Sequence, residues 1–344
     1  MLNRRRFLQS MVALAGAIAA GHVSGCKQSE AKSPKEAGQV RLSRQYGLGY
    51  LPLIIMEEQK LIEKHAAASG LGDLKVTWIT VSGGTASTDA LLSGSVDYIA
   101  SGVTPVITAW AKTGGEVKAV AALDEIPMCL NTSNPAVKSI RDFGDKDRIA
   151  LPSVKVSIQA VALQMAAAKE FGDDKYDKLD RLTVTMKHPD GAAALLSGKS
   201  EITGHLTSPP FIAQELKDPR VRTVLNSYDV LGGPHVFNIL STTQEFHNKN
   251  PRTYAAVLAA LEEAIGFIQK DKQAAAQLYI RSSKSKEPLD EVLAQLNDPS
   301  LNFGVAPRNI TRFSDFMYRV GSIKTKPADW KELFFPEIHH LKGS

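Results

Sequence analysis

The sequence has few cysteines, no strong excess of either charge and no long apolar run beyond residue 30. Only Cys26 and Cys129 are cysteines among its 344 residues. Cys26 is assigned below to a lipid, so we expect no internal disulfide. The net charge of +5 falls to +2 without residues 1–25, which hold three arginines and no acidic residue. A nearly neutral chain offers no electrostatic case for nucleic-acid binding, and no run after residue 30 reaches the roughly 18–20 apolar residues of a membrane span.

Motifs for catalysis and metal binding are also missing. No cysteine or histidine spacing matches a zinc site, and the chain has neither a Gly-x-Ser-x-Gly elbow nor a phosphate P-loop. The adjacent pair His339-His340 is interpreted as a surface feature, and Cys129 as a small buried apolar residue. We therefore expect no enzyme, no cofactor and no metal site.

The N-terminus has the pattern of an export signal. Arg4-Arg5-Arg6-Phe7-Leu8 precedes a short apolar stretch from Met11 to Ala20, which suits a signal peptide and is too short to span a bilayer. The arginine pair followed by Phe-Leu resembles the bacterial twin-arginine pattern, although Asn3 and Gln9 depart from it at either end. An ordinary Sec signal with a basic start is the alternative.

The signal ends in Val23-Ser24-Gly25-Cys26, which looks like a lipobox. Cleavage after residue 25 would leave Cys26 as a lipidated N-terminus, whereas the alternative is a plain cleavage site with an accidental cysteine. Residues 26–39 contain almost no large apolar side chain and are interpreted as a flexible tether. The sequence thus predicts a lipid-anchored body in the periplasm or at the cell surface.

From residue 40 onward, short β-rich runs alternate with helical patterns, which predicts an α/β fold with parallel strands. The predicted strands are 76–81, 96–100, 117–123, 148–151, 182–186 and 221–225. The predicted helices are 53–65, 158–171, 272–280, 288–296, 310–320 and one that starts at Pro251 with Asn250 as its N-cap. The last third is predicted to be mainly helical.

An internal repeat occurs at an offset of 104 residues. Residues 90–94 and 194–198 both read Ala-Leu-Leu-Ser-Gly, and Thr104-Pro105 aligns with Ser208-Pro209. Each copy is interpreted as a helix, a turn, a short strand and a capped helix start, which predicts two α/β lobes of similar construction; coincidence in an Ala/Leu-rich chain is the alternative.

The helix starts in this repeat predict ligand binding. Unpaired N–H groups and the positive dipole end let a helix N-terminus hold an anion without a charged side chain, although ordinary capping without a ligand is the alternative for each loop. Further loops of this kind contain Ser82 with Thr85, Ser153 with Ser157, and Gly47-Leu48-Gly49-Tyr50. Such loops collect beyond the carboxyl ends of strands, so we expect them to face one polar cleft.

The order and spacing of these pieces resemble the solute-binding proteins of ABC importers, in the nitrate/sulfonate/taurine branch, which shares its fold with thiamine-precursor pyrimidine-binding proteins. The resemblance covers about residues 40–320. It is carried by Gly49-Tyr50-Leu51-Pro52, Ser82-Gly83-Gly84, residues 90–97, residues 101–105 and the stretch from His235 to Ile280.

This resemblance implies a type II periplasmic-binding-protein fold, with two α/β lobes and a hinged ligand cleft. Lobe one would comprise residues 40–125 and 238–344, and lobe two residues 126–237. The implied ligand-binding residues are Tyr50, Ser82, Thr85, Gly102, Val103, Thr104, Ser153, Ser157, His205 and Ser208. The run from His205 to Pro210 departs from an acidic or aromatic run found in many relatives, so the class of ligand stays open.

The expected function is capture of a small anionic solute by a monomer and its delivery to an ABC permease with its ATPase. Two alternatives remain open. One is a ligand-binding input protein for a membrane sensor, and the other is a binder of a neutral or aromatic solute such as a pyrimidine.

Overall fold

Two mixed five-stranded sheets organise residues 36–344, the part of the chain that the computed structural model describes. The expected export signal, the lipobox and residues 26–35 of the expected tether lie outside these residues. The strands are β1 Gln39–Arg44, β2 Lys75–Thr80, β3 Tyr98–Gly102, β4 Val117–Ala122, β5 Asp124–Glu125, β6 Cys129–Thr132, β7 Ile149–Leu151, β8 Thr183–Thr185, β9 Gly204–Thr207, β10 Arg222–Asn226, β11 Asn238–Thr243 and β12 Asn302–Phe303.

The two sheets have the same topology. The first has the order β2-β1-β3-β11-β4 and the second the order β8-β7-β9-β6-β10. In each, the first three strands are parallel and the fourth runs antiparallel to both of its neighbours. The chain crosses between the two sheets twice, between β4 and β6 and between β10 and β11, and these are the two crossing segments. The antiparallel strand of each sheet follows a crossing, since β6 follows the first and β11 the second. This mixed α/β architecture with two similar lobes confirms the predicted fold class.

Helices cover the sheets and fill most of the last third of the chain. They are α1 Leu51–Glu58, α2 Leu61–Ala68, α3 Gly84–Leu92, α4 Val103–Thr113, α5 Ile158–Phe171, α6 His188–Ser197, α7 Phe211–Leu216, α8 Ser227–Leu231, α9 Gln244–Lys249, α10 Pro251–Lys270, α11 Lys272–Ser283, α12 Leu289–Asn297, α13 Ile310–Arg319 and α14 Trp330–Leu333. Helix α10 packs against α1 and α2, which puts the C-terminal helices on lobe one. No helix in residues 36–344 is long and apolar enough to span a bilayer.

The repeat corresponds to the same structural unit in both lobes. Helix α3, strand β3 and helix α4 form the first copy, and α6, β9 and α7 form the second. Gly94 and Gly198, the last residues of the shared motif, both have positive φ, at 70° and 61°. A residue in this left-handed conformation ends a helix, so the same Ser-Gly sequence stops α3 and α6.

One predicted helix is interrupted. The pattern over residues 53–65 predicts a single helix, but the structure has α1 and α2, separated at Lys60 with φ 51°. The residues that carry the pattern, including Leu53 and Ile62, are buried on both sides of this break. The helical spacing of apolar residues therefore continues across a short turn, and the sequence pattern does not indicate where the helix is interrupted.

Residues at the start of the described chain pack on the body, although residues 26–39 were expected to be a flexible tether. The buried Glu36 carboxylate accepts hydrogen bonds from the backbone N–H groups of Arg252 and Thr253, at 3.0 and 2.9 Å. These groups belong to the first turn of α10, whose orphan N–H donors attract an acceptor. Glu36 thus caps α10, and β1 begins three residues later.

Candidate functional site

A small pocket, with free space for about one water molecule, lies between the two lobes. Residues from both lobes line it: Gln45, Tyr46, Tyr50, Gly84, Gly102, Pro105, Pro152, Ser157, Ile158, Gln159, His188, Phe237 and Asn238. Gln45 and Pro152 directly follow strands β1 and β7, and Gly102 is the last residue of β3. The pocket therefore occupies the position at the carboxyl strand ends that α/β sheets offer to ligands.

Five helices begin at this pocket, with Tyr50 at the N-cap of α1 and His188 as the first residue of α6. Gly84 is the first residue of α3, Gly102 is the N-cap of α4, and Ser157 is the N-cap of α5. The first N–H groups of each helix have no partner within the helix, and the helix dipoles place partial positive charge there. None of the residues described as lining the pocket is Lys, Arg, Asp or Glu. The arrangement suits an acceptor-rich or anionic group held by uncharged donors.

Ser157 is a true capping residue. Its Oγ accepts a hydrogen bond from the backbone N–H of Ala160 at 3.2 Å. The cap uses the oxygen as an acceptor, so the hydroxyl hydrogen can still be donated to a ligand. Ser157 therefore supports α5 and offers a donor to the pocket.

Other predicted helix caps are wrong. Helix α4 begins at Val103 rather than after Thr104, because the Val103 N–H donates to Phe237 O and the chain turns directly from β3 into the helix. Helix α7 begins at Phe211, two residues after the start that Ser208 would cap, since Ser208 and Pro209 each precede a proline and are disfavoured from helical geometry. Helix α3 begins at Gly84 with Gly83, not Ser82, at its N-cap position.

The predicted ligand-binding residues fall into two groups. Tyr50, Gly102 and Ser157 line the pocket. Thr104, Ser153, Ser208 and Val103 are buried close to the lobe interface, Ser82 is half-buried, and Thr85 is exposed beside an outer groove. His205 is fully buried behind the pocket.

Contacts at and beside these residues hold the lobes against each other. The Thr104 hydroxyl donates to Val156 O at 2.8 Å, and the Leu48 N–H donates to Pro209 O at 2.9 Å. At Gly102, an added Cβ would lie 2.7 Å from Cγ2 of Ile158, so only glycine allows this approach. The structure is thus a closed clamp with a small enclosed site.

A buried chain of polar groups joins the pocket to both crossing segments. The Tyr50 hydroxyl donates to Asn238 Oδ1 at 2.9 Å, and Asn238 Nδ2 donates to Asp124 Oδ2 at 2.8 Å. Burial raises the pKa of Asp124 to about 7, although hydrogen bonds from Asn238 and Phe237 act in the opposite direction. Asp124 and Asn238 were not among the residues predicted from the sequence, where their only signal is their place in the two segments that cross between the lobes.

A second buried chain lies in lobe two. His188 Nδ1 is 2.9 Å from His205 Nε2, His205 Nδ1 is 2.5 Å from Glu215 Oε1, and Asn131 Nδ2 donates to Glu215 Oε2 at 2.8 Å. His188 lines the pocket and was also missed, although the 104-residue offset aligns it with Gly84, another first residue of a helix.

Burial governs the protonation of this second chain. It lowers the pKa of His205 to about 3 and that of His188 well below its ordinary value. It also raises the pKa of Glu215 to about 8, against the effect of the Asn131 hydrogen bond. Low-dielectric surroundings disfavour each charged form, so all three groups are neutral near pH 7.

A wider groove of about 330 Å³ adjoins the pocket through Gln45 and Tyr46. Arg44 and Lys286 line it, and Tyr46 is partly exposed there. The Arg44 guanidinium pairs with Glu57 at 3.0 Å, whereas Lys286 is exposed. The approach to the pocket therefore carries basic side chains that the pocket itself lacks.

Comparisons with known proteins agree with this architecture. The alkanesulfonate-binding protein SsuA of Xanthomonas axonopodis pv. citri, solved with MOPS bound, superposes with a TM-score of 0.66 at 18% identity, covering 84% of this chain and 95% of that one. The nitrate-binding protein NrtA of Synechocystis gives 0.68 at 16% identity, covering 87% and 85%. The Candida albicans CA3427 gene product, described as having the generic periplasmic binding protein fold, gives 0.63 at 12% identity, covering 84% and 92%.

At these identities the structural likeness establishes the fold. No curated protein sequence matches the chain. The sequence profile of the NMT1-like family matches residues 33–281, most of the two-lobed body. The chain belongs to the NMT1-like family and has the periplasmic-binding-protein fold.

Proposed function

We propose that this protein is the extracytoplasmic solute-binding component of an ABC importer and captures a small anion between its lobes. The observation that carries the proposal is the meeting of five helix N-termini at a pocket whose lining has no Lys, Arg, Asp or Glu. Helix N-termini hold anions through N–H donors alone. Solved proteins of the same fold include binders of alkanesulfonate and of nitrate, and both of these ligands are anions.

In this proposal Tyr50, Gly102 and Ser157 contact the solute, while Val103, Thr104, Ser153 and Ser208 complete the closed interface around it. Ser82 and Thr85 lie at the edge of the site and contribute least. His205 acts through His188 rather than by direct contact. The protein works as a monomer that presents its closed form to a membrane permease with its ATPase.

The first test is a thermal-shift screen with ethanesulfonate, taurine, nitrate and bicarbonate against uncharged pyrimidines. A ligand that binds the native state raises the melting temperature by mass action. At a ligand concentration of a hundred times its Kd, the free energy of unfolding rises by about 2.7 kcal/mol. Stabilisation by the anions alone supports the proposal. Stabilisation by a neutral pyrimidine alone would replace it with the aromatic-solute alternative.

Calorimetry on Ser157→Ala then locates the site. The variant loses one donor to the anion and should bind about tenfold more weakly, which corresponds to roughly 1.4 kcal/mol. Ser139→Ala is the matched control, because Ser139 also caps a short helix, at Ile140–Asp142, but lies outside the residues that line the pocket. Equal losses in both variants would mean that the pocket at Ser157 is not the binding site.

Import and sensing differ in the partner. Loss of the gene should abolish uptake of the solute if the partner is a permease, and neighbouring permease and ATPase genes would support that outcome. Unchanged uptake with a lost transcriptional response would instead assign the protein to a membrane sensor.

Location rests on the lipobox ending at Cys26. Cys26→Ala should release the protein from membranes into the soluble extracytoplasmic fraction, while Cys129→Ala, which changes the only other cysteine, should leave it membrane-bound. Membrane retention of the Cys26 variant would contradict the lipid anchor. Replacing Arg4-Arg5 with two lysines should block export by the twin-arginine route, and normal export would favour Sec.

A further inference from the structure

The buried chain in lobe two admits two arrangements of its hydrogens. In one, a protonated Glu215 donates to His205 Nδ1, His205 Nε2–H donates to His188 Nδ1, and His188 Nε2–H points outward. In the other, ionised Glu215 accepts from His205 Nδ1–H, His205 Nε2 accepts from His188 Nδ1–H, and His188 Nε2 is a bare acceptor. Both satisfy the distances of 2.5 and 2.9 Å, and they differ by one proton.

His188 Nε2 is the end of the chain that reaches the pocket. It lies 3.2 Å from the side-chain amide of Gln159, and both residues line the pocket. The amide can turn either its oxygen or its NH₂ toward the ring, so it accommodates both arrangements. A ligand that takes the place of the Gln159 amide at this nitrogen therefore meets an N–H donor in the first arrangement and a lone pair in the second.

We propose that the Glu215–His205–His188 chain is a positioning relay that makes His188 Nε2 a hydrogen-bond donor to the bound solute and thereby selects anions. This inference rests on the proposed function, because it describes the ligand that the same pocket takes. His188 is the specificity-determining contact, and His205 and Glu215 act through it. Discrimination of this kind needs no positive charge in the pocket, only a fixed N–H.

The groups that surround the relay carry no charge that would stabilise an ionised form of it. Asn131 of β6 holds Glu215, Thr207 of β9 lies 3.1 Å from His188 Nδ1, and the Phe211 ring of α7 stacks on His188 at 5.6 Å. The Cys129 thiol of β6 is the other ionisable neighbour, and burial raises its pKa to about 12, so it stays neutral. Among residues 36–344, no lysine or arginine hydrogen-bonds to the three relay groups.

Helix α6 is built to bring the rings together. Gly191, one turn after His188, faces His205 so closely that an added Cβ would lie 2.8 Å from its Nε2. A larger residue there would push His205 away from His188. The close approach thus depends on glycine at this position.

The relay makes anion affinity depend on pH in a defined direction. Glu215 holds its proton up to about pH 8, so the donor arrangement predominates at pH 7 and gives way above pH 8. If binding requires the protonated form of a single group with that pKa, loss of the proton lowers the affinity for an anion about tenfold between pH 7 and pH 9. An uncharged ligand that donates to His188 would show the opposite trend.

Glu215→Gln is the decisive variant. The Gln amide can accept from Asn131 with its oxygen and always donates to His205 Nδ1 with its NH₂, which locks the donor arrangement. Calorimetry with ethanesulfonate and nitrate should show that the variant binds with wild-type affinity at pH 7. Its affinity should not fall at pH 9, where that of the wild type falls about tenfold. Glu287→Gln, a change at another buried glutamate outside the pocket lining, should keep the wild-type pH profile.

Imidazole ¹⁵N spectra test the relay without any ligand. With signals assigned through His188→Gln and His205→Gln, the His188 ring should carry its hydrogen on Nε2 at pH 7 and on Nδ1 at pH 9, and should stay Nε2-protonated in Glu215→Gln. A hydrogen on Nδ1 at pH 7, or the same pH profile in Glu215→Gln as in the wild type, overturns the relay. If neither anion binds the wild type at any pH, the proposed function fails, while the spectra still decide the proton arrangement.

Discussion

At the scale of single residues, the chemistry of this protein is concentrated in buried polar groups that stand in two chains. Asp124 and Asn238 connect Tyr50 to the crossing segments, and Glu215 and His205 connect His188 to the core of lobe two. Each chain ends at a residue that lines the pocket. A change of protonation deep in either lobe can therefore reach the ligand site through hydrogen bonds.

Asp124→Asn should alter how stability depends on pH. The folded-state pKa of Asp124, about 7, lies above its ordinary value of 3.8, so the folded protein is stabilised below about pH 4 and loses that stability as the pH rises through 7. Between pH 5 and pH 8 the wild type should lose roughly 2–3 kcal/mol relative to the neutral Asn variant. Urea unfolding at the two pH values measures this.

The matched change Asp145→Asn removes a carboxylate that is 82% exposed, and it should leave the pH profile of the wild type in place. If the free energies of unfolding of Asp124→Asn and of the wild type differ by a constant amount from pH 5 to pH 8, Asp124 is ionised throughout that range in the folded protein.

Thr104→Val should weaken closure of the clamp rather than remove a direct ligand contact. The Thr104 hydroxyl donates to Val156 O in the opposite lobe, and valine would leave that carbonyl without this donor. A hydrogen bond of this kind contributes about 1 kcal/mol, so ligand affinity should fall about fivefold. Thr113→Val, near the other end of α4, should leave calorimetric affinity unchanged because its hydroxyl bonds only within its own lobe. Equal affinity in both variants would mean that the bond to Val156 does not stabilise the closed form.

At the scale of elements, the helix N-termini carry both structure and function. Helix α5 matches its predicted bounds at both ends, and Ser157 caps it as the sequence indicates. The starts of α4 and α7 differ from the prediction because they depend on contacts that are distant in sequence or on two successive prolines. A cap motif is a local signal, so it fails where tertiary pairing or a neighbouring proline decides where the helix begins.

The same contrast explains which strands could be predicted. Residues 76–81 and 117–123 are rich in β-branched and apolar residues and form β2 and β4 within one or two residues. Strands β6, β9 and β11 escaped prediction, because they are central, nearly fully buried and contain Asn131, His205 and Asn238. The polar residues that interrupt their apolar pattern belong to the two buried chains. The residues that form the candidate site are therefore the ones that make these strands difficult to predict.

Glu36→Gln tests a cap that only the structure reveals. Burial acts to raise the pKa of Glu36, but the N–H groups of Thr253 and Arg252 outweigh it and lower the pKa, which shows that the carboxylate form is the one bound at the N-terminus of α10. Loss of this charge should reduce stability by about 1 kcal/mol, measured by urea unfolding at pH 7. Glu245→Gln breaks an exposed pair with Lys249 and should have almost no effect. If both variants are equally stable, the segment before β1 is held by other contacts.

At the scale of the whole molecule, two lobes of equal topology meet around the pocket through small residues and backbone atoms. Gly102 approaches Ile158, Gly47 approaches Pro209 O, and Thr104 bonds to Val156 O. Farther from the pocket, long side chains cross between the lobes in exposed ion pairs, such as Lys217 with Glu291 and Arg319 with Asp173. Exposed ion pairs contribute little free energy, so opening and closing can occur as a rigid-body hinge motion about the two crossing segments. The ligand would then supply the free energy that favours the closed form.

Gly102→Val should hold the clamp open. The first added atom alone would lie 2.7 Å from Cγ2 and 3.0 Å from Cβ of Ile158, and the clash falls between lobes, so each lobe can still fold. Small-angle scattering of the wild type should show a smaller radius of gyration at saturation with the anion that the thermal-shift screen identifies, whereas Gly102→Val should stay expanded and bind at least tenfold more weakly. Gly144→Val, at a position with no atom within 4 Å of an added Cβ, should compact like the wild type. If Gly102→Val contracts on binding as far as the wild type does, the lobes close without the approach of Gly102 to Ile158, and the clamp must turn about a different contact.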